Sequence, residues 1–216
     1  MGENHDNKKM NIQIKICGIT SYTDAQAAVV AGADALGLNF YERSPRYLTI
    51  SKAAEISKHL PPFILRVGVF VNAPEDQVFQ AIGKCGLGML QFHGNETPEY
   101  CTQFGLMSMK AFRIRGAEAL KEMPQYSTEA WLLDAYSPKT QGGTGKKFNW
   151  ELAVEAKKFG RPIFLAGGLT PGNIADAVRR VRPFGVDVSS GVESAPGKKD
   201  HQKVRDFITK VRLAEK

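Results

Sequence analysis

Two rhythms of apolar and polar residues alternate along the chain. Short runs rich in branched residues, such as 12–17 (IQIKIC) and 65–71 (LRVGVFV), read as strands. Stretches with apolar residues three and four apart read as helices. The pattern predicts strands at 12–17, 35–40, 65–71, 88–92, 107–114, 130–134, 162–166 and 185–189. It predicts helices at 23–31, 51–59, 74–84, 98–103, 117–123, 149–158, 171–181 and 200–213. Breakers agree with these ends: Gly32 closes the first helix, Pro61 and Pro62 stop the second, and Pro74 opens the third.

Eight strand–helix units follow one another without a linker or a shift in composition. Strands that are apolar almost throughout point to a parallel sheet covered by helices. Eight units favour closure into a single (β/α)8 barrel over an open sheet. The barrel is expected to span 11–216, with 1–10 a short disordered extension. One connection is long: 135–148 (AYSPKTQGGTGKKF) is rich in glycine and lysine and is expected to act as a lid over substrate.

Composition narrows the class. The 216 residues are 43% hydrophobic and 24% charged, ordinary for a globular chain able to bury a core. No apolar run approaches the roughly 20 residues of a membrane span, and 1–10 (MGENHDNKKM) lacks the apolar core of a secretory signal. Three cysteines, Cys17, Cys85 and Cys101, have no paired spacing, which suits a reducing cytoplasm better than a disulfide framework. No spacing proposes a metal site. The net charge of +7 is confined to the last third, where 139–216 carry 16 Lys and Arg against 8 Asp and Glu. Nucleic acid, a membrane surface or a small anion each fit such an excess.

In a barrel of this kind the site lies at the C-terminal ends of the strands. Those ends carry Lys15, Cys17, Asn39, Asn72, Gln91, His93, Arg113, Asp134, Gly167, Gly168 and 187–191 (DVSSG). Glycine-bearing loops after strands seven and eight suit a phosphate, because backbone N–H groups reach an anion closely there. Gly167, Gly168, Ser189, Ser190 and Gly191 stand at that pair of loops, although a GG pair also serves as a plain tight turn. Cys17 reads either as a proton acceptor or nucleophile, or as a small buried hydrophobe. Asp134 reads as a general acid or as one arm of a salt bridge. Arg46 suits bidentate reading of a carboxylate or an ordinary surface position. His93 suits proton transfer or a structural hydrogen bond.

The motifs KICGIT, GADALGLNFYERSPRYL, RVGVFVN, LQFHG, WLLDAYSP, GGTGKKFNW, LAGGLTPGNI and VRPFGVDVSSGVESAPGKKD occur in that order. With them the chain closely resembles the N-(5′-phosphoribosyl)anthranilate isomerase family of tryptophan biosynthesis, from residue 12 to the last helix. The resemblance implies a cofactor-free Amadori rearrangement of N-(5-phospho-β-D-ribosyl)anthranilate to 1-(2-carboxyphenylamino)-1-deoxy-D-ribulose 5-phosphate. It implies Cys17 as general base, Asp134 as general acid, Arg46 on the anthranilate carboxylate, and the loops at Gly167, Gly168, Ser189 and Ser190 on the phosphate. Gln91, His93, Asp187 and Gly191 complete the expected substrate shell. Lys15 shares a strand face with Cys17 by period-2 alternation, so its charge is expected to lower the thiol's pKa.

Two rivals have their own signatures. A histidine-pathway isomerase performs similar chemistry but reads as two similar halves with a phosphate loop in each, and no second GG loop occurs in the first half here. A nucleic-acid binder requires aromatics interleaved with basic residues. Phe148, Trp150, Phe159, Phe164, Phe184 and Phe207 are instead spaced as core positions. The expected partner is therefore a small anionic phosphoribosyl substrate, with no nucleic acid or membrane, in a monomer or weak homodimer.

Overall fold

The computed structural model describes residues 11–114, 116–134 and 150–215. Among them, the strands β1 (Gln13–Cys17), β2 (Ala35–Asn39), β3 (Leu65–Phe70), β4 (Met89–Phe92), β5 (Met107–Arg113), β6 (Ala130–Asp134), β7 (Ile163–Ala166) and β8 (Gly185–Val188) form a closed parallel barrel. Each pairs with the next, and β8 pairs with β1. The helices between them are α1 (Tyr22–Ala31), α2 (Ile50–Lys58), α3 (Glu75–Cys85), α4 (Pro98–Thr102), α5 (Ala119–Glu122), α6 (Trp150–Lys157), α7 (Ile174–Val181) and α8 (His201–Ala214). The chain is thus the expected (β/α)8 barrel. The proposed lid 135–148 and the extension 1–10 lie outside the described residues.

Local chemistry sets the helix ends. Ser21, Thr49 and Thr97 cap α1, α2 and α4 by accepting from the N–H three residues on, which satisfies a donor that the helix itself cannot. Asp200 caps α8 twice, accepting from Gln202 and Lys203. Gly32 and Gly86 end α1 and α3 in the left-handed conformation.

Period 2 divides each strand between two cores. Outward residues such as Ile14, Ile16, Leu36, Phe92, Leu165 and Val186 pack with helix residues including Ala28, Ile56, Val78 and Phe207. Inward residues of the lower barrel, Val67, Met89, Met109, Leu132 and Phe164, fill its interior as a second cluster. Truncating a buried phenylalanine such as Phe164 costs about 3–5 kcal/mol. Toward the C-terminal ends the same inward positions turn polar: Lys15, Cys17, Gln91, Asp134 and Asp187 continue the rows below them.

Some expectations about the surface change. Phe164 and Phe207 are buried, but Phe159 and Phe184 are partly exposed, each edge-on to a buried aromatic at 5.9 and 5.7 Å, Trp131 and Phe164 respectively. Basic residues on or just after the helices of the last third make surface pairs, Lys158 with Glu155, Arg179 with Asp176 and Arg180 with Glu151. A short hairpin absent from the sequence pattern, β9 (Glu193–Ala195) and β10 (Lys198–Lys199), turns through Pro196 and Gly197 before α8. Among the described residues no helix is long and apolar enough to cross a membrane.

Candidate active site

The closure of the barrel brings the first pair of site residues together. Lys15 and Asp187 are register partners across β1 and β8, and Lys15 Nζ donates to Asp187 Oδ1 at 2.7 Å. Lys15 is 0% exposed, so an unpaired ammonium there would be costly and the carboxylate opposite is required. Cys17, two residues on, faces Gly37 across β1 and β2. A Cβ on Gly37 would sit 2.7 Å from Cys17 Sγ and 3.1 Å from Lys15 Nζ. The missing side chain therefore makes the space in which thiol and ammonium meet.

The electrostatics of that corner differ from the expectation in one respect. Burial pushes the Cys17 thiol up, Lys15 pulls it down as expected, and Asp187 pushes it up again. The sum lies above the ordinary thiol value, so the thiol is the resting form at neutral pH. For Lys15, burial works against the charge, but the Asp187 carboxylate offsets it, and the ammonium is held above the usual lysine range.

A second group forms on β4 and β6. The Gln91 amide Nε2 lies 3.0 Å from His93 Nδ1, and His93 Nε2 lies 3.2 Å from Asp134 Oδ2. With the amide donating to Nδ1, the imidazole proton sits on Nε2 and is donated to Asp134 Oδ2, which leaves Oδ1 free among the described residues. Beneath His93, Lys110 Nζ donates to Glu96 Oε2 and to the Gly94 carbonyl, both at 2.8 Å. Glu96 also accepts from the N–H groups of Asn72 and Gly94. This buried, fully bonded pair fixes the turn that carries His93, and sequence reading did not find it.

The loops after β7 and β8 make the third group. Gly167 and Gly168 adopt φ of 78° and 66°, a left-handed pair that favours glycine. Asn173 ties this loop down, donating to Gly168 O at 3.0 Å and accepting from Thr170 N at 2.8 Å. After β8, Ser190–Val192 forms a 3-10 turn whose first N–H groups lack partners within the turn. The two loops are pressed together, because a Cβ on Gly191 would run into the Leu169 carbonyl.

Arg46 reaches the mouth from the connection after β2, but its fork is engaged. Its Nε and Nη2 donate to Glu193 Oε1 and Oε2 at 2.7 and 2.6 Å. Lys199 Nζ donates to the same Glu193 Oε1 at 2.9 Å. Glu193 and Lys199 lie on β9 and β10, in the VESAPGKKD motif, and neither was expected at the site. The Pro196-Gly197 turn between two short polar runs was the available signal for this hairpin.

Of the remaining strand-end residues, Asn39 and Asn72 shape loops. Asn39 accepts from Tyr41 N and donates to Ser44 Oγ, and Asn72 accepts from Asn95 N. Arg113 is exposed. Two buried polar atoms at the mouth, Gln91 Oε1 and Ser189 Oγ, have no hydrogen-bond partner among the described residues. Such atoms are normally satisfied by water or a ligand. Among the described residues no cluster of His, Cys, Asp and Glu is arranged to hold a metal.

Comparison with known proteins adds sequence and fold neighbours. Residues 14–210 match the family model for N-(5′-phosphoribosyl)anthranilate (PRA) isomerase. The N-(5′-phosphoribosyl)anthranilate isomerase of Trichlorobacter lovleyi is 55% identical over 203 residues, covering 94% of this chain and 99% of the relative. The crystal structure of phosphoribosyl anthranilate isomerase from Thermotoga maritima superposes with a TM-score of 0.88 at 40% identity, covering 94% and 99% of the two chains. A phosphoribosyl anthranilate isomerase crystallised with reduced 1-(o-carboxyphenylamino)-1-deoxyribulose 5-phosphate superposes with a TM-score of 0.85 at 37% identity, with the same coverage.

Proposed function

The chain belongs to the N-(5′-phosphoribosyl)anthranilate isomerase family, and from that premise we propose how its residues carry out the family's reaction. It is an isomerase of tryptophan biosynthesis, converting N-(5-phospho-β-D-ribosyl)anthranilate to 1-(2-carboxyphenylamino)-1-deoxy-D-ribulose 5-phosphate. The histidine-pathway alternative has no support in the family match. Hydrogen moves only within the substrate and between it and acid and base groups, so no external redox partner is called for.

The arrangement of the mouth carries the assignment of roles. In the closed strand order β6-β7-β8-β1, Asp134 stands on β6, Cys17 on β1, and the loops of β7 and β8 lie between them. A phosphate seated on Gly167, Gly168, Ser189, Ser190 and Gly191 puts the ribose between acid and base. Asp134 gives its proton to the furanose oxygen, the C1′–O bond breaks, and the nitrogen lone pair closes an iminium. Cys17, which gives its resting proton to solvent as the iminium's charge joins that of Lys15, then takes the proton on C2′ as a thiolate to leave an enolamine. The Asp134 carboxylate accepts the O2′ proton and the Cys17 thiol protonates C1′, which gives the ketone and returns both groups to their starting forms.

The surroundings support each step. His93 donates to Asp134 Oδ2, which stabilises the carboxylate that forms as the proton leaves. Lys15 stands beside Cys17 to favour the thiolate, and the cationic iminium adds to that field. Gln91 Oε1 offers a free acceptor to the substrate's hydroxyls, and the unpartnered Ser189 hydroxyl offers a donor to its phosphate. Arg46 keeps Nη1 for the anthranilate carboxylate.

The assay mixes the protein with freshly generated phosphoribosylanthranilate and follows loss of its anthranilate-type fluorescence. Rapid loss supports the reaction, and decay no faster than the protein-free control refutes it. Three free, buried cysteines support a reducing, cytoplasmic setting. The apolar cavity of about 620 Å³ at the N-terminal face of the barrel, with Phe63 98% exposed at its rim, supports the homodimer over the monomer. Sedimentation over a range of protein concentrations distinguishes the two.

A further inference from the structure

Arg46, Glu193 and Lys199 form a chain of three buried or half-buried charges that contains one more cation than anion. Glu193 spends both carboxylate oxygens on Arg46, and Oε1 also accepts from Lys199. An Arg46–Glu193 pair alone would be neutral and closed, with no net attraction for an incoming carboxylate. Lys199, whose side chain is 0% exposed, changes that balance. The hairpin β9–β10 carries it inward, and its Nζ donates to Ser189 O at 3.3 Å as well as to Glu193. Burial pulls the Lys199 ammonium below its ordinary value and the bond to Glu193 pushes it back; as the ammonium it neutralises Glu193, and the trio keeps one unit of positive charge.

The geometry sends that charge in one direction. Nε and Nη2 of Arg46 are held by Glu193, while Nη1 has no partner among the described residues. The arginine's stem lies against Gly18, the neighbour of Cys17, because a Cβ on Gly18 would meet Arg46 Cδ. A guanidinium clamped on one edge and packed along its stem cannot swing, so its remaining edge is aimed before any ligand arrives. The hairpin is itself fixed: Lys199 N donates to Asp24 Oδ2 at 3.2 Å, and Lys203 Nζ donates to Glu193 O at 3.0 Å.

We propose that Glu193 and Lys199 are positioning residues that hold Arg46 in place and leave its full charge for the substrate's aromatic carboxylate. This rests on the reading of Arg46 given above. Glu193 acts as the clamp, and Lys199 supplies the compensating charge without which the clamp would cancel the arginine. Burial pushes the Glu193 carboxyl up, but the bonds from Arg46 and Lys199 outweigh it and keep the group ionised. Together the pair makes the site selective for N-aryl substrates that bear a carboxylate over those that do not.

The test uses two stable probes and no turnover. One is reduced 1-(o-carboxyphenylamino)-1-deoxyribulose 5-phosphate, and the other is the same molecule without its carboxylate. Isothermal titration gives Kd for each, and the ratio of the two measures the preference for the carboxylate. Lys199→Met, which removes the compensating charge, is expected to reduce that preference about tenfold, ~1.4 kcal/mol, and Glu193→Gln, which loosens the clamp but leaves both cations, by a smaller factor, while Kd for the probe without a carboxylate stays within a few-fold of the parent. Thermal melts confirm that the titrated variants are folded, and Lys199→Arg, which keeps the charge, restores most of the preference. Arg46→Ala separates the two levels of the argument. If Arg46→Ala abolishes the preference and both other variants keep it, the positioning role is overturned and the reading of Arg46 stands. If Arg46→Ala itself keeps the preference, that reading falls and the proposal falls with it. An equal loss of affinity for both probes in Lys199→Met and Glu193→Gln overturns the proposal in favour of a purely structural role.

Discussion

Asp187→Asn removes the partner of a fully buried charge in the barrel. Lys15 Nζ sits 2.7 Å from Asp187 Oδ1, and Lys15 is inaccessible to solvent. Breaking such a pair leaves an uncompensated charge and costs about 3–5 kcal/mol. At about 2–4 °C per kcal/mol for a domain of this size, the melting temperature should fall by roughly 6–20 °C. The pH dependence gives a sharper test. In the parent, Lys15 titrates above its ordinary value, so its contribution is complete below about pH 10.4. That contribution fades only as pH rises through the raised folded value, and it is flat between pH 6 and 9. In Asp187→Asn, burial acts without the carboxylate and the folded pKa of Lys15 drops. The unfolded chain then binds more protons, and stability rises with pH. Urea unfolding followed by circular dichroism at pH 6 and pH 9 should show a large gap between variant and parent at pH 6 and a smaller one at pH 9. A variant as stable as the parent at pH 6, or a gap unchanged between the two pH values, would refute the account of this pair.

Other consequences are as direct. Gly37→Ala places a methyl 2.7 Å from Cys17 Sγ, and should cost about 1–3 kcal/mol by overpacking and displace the thiol enough to lower kcat at least about tenfold. Gly83→Ala, exposed in the last turn of α3 with nothing within 4 Å of the new Cβ, should instead stabilise by up to about 0.5–1 kcal/mol with activity unchanged. Equal effects of the two substitutions in a melt and a rate assay would contradict this packing argument. Iodoacetamide should label Cys17 slowly at pH 7, and the rate should keep climbing beyond pH ~9.5, about one unit above an ordinary thiol's pKa, where such a thiol approaches its plateau. Cys85 and Cys101, which burial pushes up to about 11 and about 12, serve as slow internal controls. Mass spectrometry of the labelled peptides shows whether Cys17 levels off at or below pH 8, which would mean that Lys15 outweighs burial.

The architecture was legible because it depends on local periodicity. Strand β6 runs from Ala130 to Asp134, the same span that its apolar run predicts, and α7 starts only three residues after Pro171 because Asn173 first closes the preceding turn. Lys15 and Cys17 could be assigned to one face because side chains alternate along a strand. The hairpin at Glu193–Lys199 was not legible. Its strands are two and three residues long, too short to show alternation, and its polar residues read as loop. The same reason hid Glu193 and Lys199, whose roles depend on contacts with Arg46 almost 150 positions earlier. Glu96 and Lys110 were hidden too, since a buried ion pair has no mark in sequence until the fold joins its halves. The sign of the shift at Cys17 also escaped sequence reading, because Lys15 could be seen beside it but the depth of burial could not. Among the described residues, the basic positions of the last third are mostly on solvated surface, and Lys199 is buried beside the mouth.

The central claim is that Asp134 and Cys17 act as acid and base on one substrate held between them. Single-turnover rates of Asp134→Asn and Cys17→Ser, with enzyme in excess over phosphoribosylanthranilate, test it most directly because binding and product release drop out. Each variant should melt close to the parent and react at least about 10²-fold more slowly. If either variant, folded and saturated, converts substrate within a few-fold of the parent rate, that residue is not the acid or the base.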